Sequence, residues 1–166
     1  AGRTVTSPEE ARQAVEEMLD QGADVIKIAL ESGVIFGEQR LPELSPGETA
    51  AIVAAAHQRG TVVSVHVTVS ADLKLALEGG VDDIAHMVVD RLPQELLDKM
   101  VAQNVYWVPT LELWDAVGQG LDRIAIDNLR RYAGAGGLVA LGTDYAGYTK
   151  PFQLGMPMRE IELMQS

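Results

Sequence analysis

Five short runs of β-branched and apolar residues alternate with helical runs along this chain, and that alternation limits the fold more than any other feature. The runs are 23–30 (ADVIKIAL), 61–67 (TVVSVHV), 81–87 (VDDIAHM), 105–110 (VYWVPT) and 137–143 (GLVALGT). Before the first, Ser7 is placed to cap a helix that has Pro8 at its first position and Glu9 and Glu10 in its first turn. Ala11, Val15, Met18 and Leu19 then share one helical face, and Gly22 ends the helix. Ser45-Pro46 opens a second helix that runs through His57 and closes at Gly60. Further helical runs are read at 71–78, 93–103, 121–133 and 157–164. Alternation of this kind predicts parallel strands joined by right-handed helical crossovers, an α/β class. An open doubly wound sheet and a (β/α) barrel are the two candidates.

The turn after the first run, Glu31-Ser32-Gly33, lacks the glycine spacing of a dinucleotide fold, and no Walker-type phosphate loop follows any strand. The longest irregular stretch, 31–44, is a candidate active-site loop. Nothing marks a linker, so one domain over 1–166 is expected. Thirteen basic against twenty-four acidic residues give a net charge of −11, which disfavours a nucleic-acid partner. No apolar run approaches the roughly 18 residues a membrane span needs, so no membrane partner is expected. The first residues lack a secretory leader pattern. The absence of cysteine excludes disulfides and thiolate metal sites and fits a cytoplasmic protein.

Side chains on a strand alternate between its faces. Val25, Lys27 and Ala29 share a face, as do Val62, Ser64 and His66. The same rule pairs Ile84 with His86, and Leu138, Ala140 and Gly142 with Asp144. A lysine amid an apolar run is costly unless paired or modified. His66, His86 and Asp144 lie at the C-terminal ends of their strands, where barrels and open sheets build their sites. A lone strand histidine is more often a hydrogen-bonded core residue than a ligand, and an aspartate after Gly-Thr is often a turn residue. Lys, His, His and Asp on four parallel strands are harder to explain as packing. His57 reads as a structural or surface residue, and Tyr106 and Trp107 as packing, with one of the two facing inward.

The segments DVIKIA, SPGETAAIVAAAHQRGTVVSVHV, ALEGGVDDIAHM, VYWVPTL and LVALGTDYAG, in this order, resemble the amidohydrolase superfamily, closest to its imidazolonepropionase-like and prolidase-like hydrolases. The resemblance runs from about Ser7 to the end. It implies a (β/α)8 barrel of which this chain supplies strands four to eight, and so a partial TIM-like barrel of five parallel strands with flanking helices. It implies that Lys27 is carboxylated and bridges two metals, that His66 and His86 are ligands, and that Asp144 is a ligand and the proton-transferring residue. Imidazole and carboxylate donors suit divalent zinc, with one or two ions in the complete enzyme. The implied reaction is hydrolysis of an amide-type C–N bond in a small molecule. The family's strand-one His-x-His pair has no counterpart, and the final helix begins only at the end of the chain. The expectation is a fragment lacking the N-terminal strands, inactive alone, holding no metal or one loose ion, and associating into a homo-oligomer. The alternative is a non-catalytic half-barrel that pairs with itself or a complementing chain.

Overall fold

The computed structural model describes residues 3–37, 41–118, 120–144 and 154–166. Helix α1 (Pro8–Asp20) leads into β1 (Ile26–Ala29), and α2 (Pro46–Gln58) into β2 (Val63–His66). Next come α3 (Ser70–Gly79), β3 (Asp83–Ala85), α4 (Gln94–Ala102) and β4 (Tyr106–Val108). Two helices, α5 (Leu111–Val117) and α6 (Leu121–Gly134), precede β5 (Leu138–Val139), and α7 (Met158–Gln165) closes the chain. The strands form one sheet in the order β1-β2-β3-β4-β5. All neighbouring pairs are parallel. Sequential order is the order of a barrel wall and excludes the doubly wound alternative.

The helix starts follow the sequence signals. Ser7 Oγ accepts from Glu10 N at 3.2 Å, which caps α1 with Pro8 at its first position. Ser45 and Glu48 form a reciprocal capping box on α2. Helix α5 was not anticipated. Its seven residues directly follow a strand and carry no side-chain cap on Thr110, so the usual start signal is missing. The strands are also shorter than their apolar runs, because pairing stops where the chain turns outward into loops.

Register fixes the two faces. One row across the sheet is Lys27, Ser64, Asp83, Tyr106 and Leu138. The next row is Ile28, Val65, Ile84, Trp107 and Val139. The second row packs under the helices: Val65, Ile84 and Trp107 are fully buried and belong to one core with Leu30, Leu73, Leu77, Leu97 and Tyr132. The first row faces away from that core, with Tyr106 half exposed. This corrects one expectation. Ile84 does not share the inner face of the sheet; Asp83 and Ala85 do. Of the two strand-four aromatics, Tyr106 faces inward, while Trp107 packs edge-on against Tyr132 at 5.3 Å.

Candidate active site

Register brings Ala29, His66, Ala85 and Val108 side by side on the inner face, at the C-terminal ends of their strands. Alanines flanking His66 leave its ring room over the sheet. Lys27 sits two residues lower on β1, beside Ser64, whose hydroxyl donates to Asp83 Oδ1 at 2.7 Å. Burial pushes the Lys27 ammonium below its usual pKa, while the carboxylates of Asp83 and Asp144 pull it back up.

His86 reaches the same place by a different route. Alternation puts position 86 on the face of Ile84, toward the helices. The backbone of His86 instead adopts φ 73°, in the left-handed region, which turns the side chain to the mouth of the sheet. Long-range bonds hold this turn. His86 N donates to Val108 O at 3.0 Å, and the buried Trp107 indole donates to His86 O at 2.7 Å. The ring is fixed by a 3.0 Å hydrogen bond between Nδ1 and Thr110 Oγ1, itself on a left-handed residue at φ 50°. Simple alternation along β3 would point His86 toward the helices, and the left-handed turn overrides it.

The His66 and His86 rings meet edge to face with centroids 4.5 Å apart. His86 Nε2 lies 3.8 Å from Asp144 Oδ2, with Asp144 also left-handed at φ 46°. Burial holds the His86 pKa down to about 4; the neighbouring His66 and Lys27 act in the same direction, and Asp144 and Glu31 oppose them. The structure therefore brings together Lys27, His66, His86 and Asp144. His57 lies elsewhere, at the N-terminal ends of the strands, where its Nε2 is 2.9 Å from Asp82 Oδ2.

Glu31 was not singled out in the sequence, although alternation along Val25, Lys27, Ala29 and Glu31 carries it to the inner face. Its Oε1 accepts from Gly33 N at 2.7 Å, and its Oε2 accepts from Thr68 Oγ1 and lies 3.3 Å from His66 Nε2. Thr68 continues the parity of Ser64 and His66, so the same count would have found it.

The donor types suit a divalent cation: two imidazoles, a carboxylate and a lysine that could be carboxylated. Among the described residues, no three His, Asp or Glu side chains are close enough to share one ion as they stand. Two ligands on a tetrahedral zinc stand roughly 3.4 Å apart, so the 3.8 Å between His86 Nε2 and Asp144 Oδ2 needs only a small adjustment.

A parallel sheet in sequential order with flanking helices defines part of a (β/α)-barrel scaffold, with the polar cluster at its strand ends. Residues 2–165 match the amidohydrolase family model, and the chain belongs to that family. Ochratoxinase of Aspergillus niger is 31% identical over 155 residues, 83% of this chain and 32% of that protein. A crystallised amidohydrolase superposes with TM-score 0.82 at 28% identity, covering 99% of this chain and 43% of its own. A crystallised Xaa-Pro dipeptidase with methionine in its active site gives TM-score 0.78 at 26% identity, covering 97% of this chain and 43% of its own. The chain thus spans about a third of the curated relative and less than half of these two solved ones.

Proposed function

We propose that this chain carries the strand-four-to-eight part of a metal-dependent hydrolase that cleaves an amide-type C–N bond in a small molecule of the cytoplasm. The observation that carries the reading is the convergence of Lys27, His66, His86 and Asp144, which come from four separate strands or their ends. In this reading His66, His86 and Asp144 are ligands, and Lys27 joins them once its amine has taken up carbon dioxide and lost a proton to become a carbamate. A divalent cation, zinc by this donor set, would polarise the scissile carbonyl and make water more acidic when bound. Asp144 takes the proton from the attacking water and gives it to the departing nitrogen as the C–N bond breaks. A depressed pKa keeps His86 neutral, the form in which an imidazole can be a ligand. The Xaa-Pro dipeptidase among the relatives suits an amide-type bond.

Metal titration tests this. The chain alone, lacking a His-x-His pair, is expected to bind zinc weakly and at one site at most, because affinity depends on a full, oriented shell. His66→Ala, His86→Ala and Asp144→Ala should each weaken that binding at least tenfold. A two-ion centre filled by this chain alone, or zinc binding indifferent to all three substitutions, would sink the assignment.

A second reading rests on the uncovered inner face. Val25, Val62 and Tyr106 are 46%, 49% and 50% exposed, and β1 and β5 each pair on one side only among the described residues. A half-barrel of this shape associates with itself or with a complementing chain.

A further inference from the structure

The two histidines at the strand ends are held through opposite ring nitrogens. His86 is held through Nδ1, by the Thr110 hydroxyl at 3.0 Å. His66 is held through Nε2, which lies 3.3 Å from Glu31 Oε2. The second contact is chemically decisive. A hydroxyl can give or take a proton, so Thr110 leaves the tautomer of His86 open, whereas a carboxylate can only accept. With His66 neutral, the shared proton must sit on Nε2, and the free lone pair is then on Nδ1.

Glu31 is equipped for this task. Its side chain is 16% exposed. Gly33 N donates to Oε1 at 2.7 Å, and Thr68 Oγ1 donates to Oε2. The next residue, Ser32, is anchored in turn: its N and Oγ lie 3.3 and 3.1 Å from the buried Asp72 Oδ2 on α3. Two donors and a pinned neighbouring backbone fix the carboxylate where it is. We propose that Glu31 is a positioning residue that locks His66 in its Nε2–H form and so selects Nδ1 as the nitrogen His66 offers to a ligand or cation. Ligating histidines usually pass their other ring N–H to such a partner, and losing it costs about 10- to 100-fold in metal affinity. The metal-related part of this inference rests on the function proposed above; the tautomer does not.

The test uses the metal-free chain, isotopically labelled, at a pH well above the ordinary histidine pKa. Long-range nitrogen–proton correlation reads the tautomer of each ring, and solvent exchange reads how well the ring proton is held. Wild type should show His66 as Nε2–H with a slowly exchanging proton. In Glu31→Ala that proton should exchange at least tenfold faster, while Asp144→Ala leaves it unchanged. Zinc titration of the same samples should show Glu31→Ala weaker by about 10- to 100-fold. An Nδ1–H tautomer of His66 in wild type overturns the proposal whether or not the variant folds. So does an exchange rate that Glu31→Ala does not alter. A Glu31→Ala chain with a freely exchanging His66 ring proton but the zinc affinity of wild type would remove the metal-related part and leave the role of Glu31 in the tautomer intact.

Discussion

His86 shows how much one residue's backbone can decide. Its left-handed φ of 73° would strain an alanine or a β-branched residue, but asparagine tolerates it nearly as well as histidine. His86→Asn therefore separates the titrating ring from the turn it occupies. The folded His86 keeps a pKa near 4, below its ordinary 6.5. Between those values the unfolded chain takes up a proton that the folded chain refuses. The stabilisation is thus present above about 6.5 and is lost as pH falls toward about 4. Urea denaturation at two pH values inside that window should show wild type losing stability on the order of 1–3 kcal/mol. The loss should be shallower in His86→Asn, since other groups titrate in both proteins. Equal slopes would mean that His86 is not the buried neutral base described here.

At the scale of elements, α5 depends on α7. Seven residues are too few for a helix stable alone, and no side chain of its own N-cap serves the first turn. Glu160 on α7, fully buried, does so instead: Leu111 N donates to its Oε1 at 2.8 Å and Glu112 N to its Oε2 at 2.7 Å. Burial pushes the Glu160 carboxyl pKa up, while these two bonds pull it down. Because α5 starts right after Thr110, the partner of His86, this cap reaches the site. Glu160→Ala leaves two amides without acceptors and should cost roughly 2–4 kcal/mol. Thermal unfolding gives the cost, and faster hydrogen exchange at Leu111 and Glu112 would locate it in α5. Unchanged protection at those amides would show that α5 holds its first turn without α7.

Across the whole molecule, the balance of surfaces is uneven. The helical side of the sheet buries Ile28, Val65, Ile84 and Trp107 and half-buries Val139, whereas the inner side leaves Val25, Val62 and Tyr106 between 46% and 50% exposed. Apolar burial is worth about 25 cal/mol per Å², so covering such a face repays association. Light scattering of the chain at low micromolar concentration should report a dimer or larger species, with two-fold pairing the expected form. Removal of the exposed row, for instance by Val25→Lys with Val62→Lys, should shift it toward monomer. A stable monomer that binds no hydrophobic dye would contradict this.

Local pattern was enough for much of the architecture. The alternation of runs determined the parallel α/β wall, Ser7 and Ser45 determined two helix starts, and alternation on β1 and β2 put Lys27 and His66 on the inner face. These are properties of neighbours along the chain, governed by periods of 2 and 3.6 residues. Resemblance to a family, rather than periodicity, supplied the roles of the four site residues. What only the tertiary structure decided lies where those periods break. His86 turns inward on a left-handed backbone that alternation does not describe. Ser32, which follows Glu31, is held in its loop by Asp72, 40 residues away, and Glu160 caps a helix that starts 49 residues before it. The physical reason is the same in each case: a residue held by partners distant in sequence takes its conformation from the packed fold, and its immediate neighbours carry no record of it.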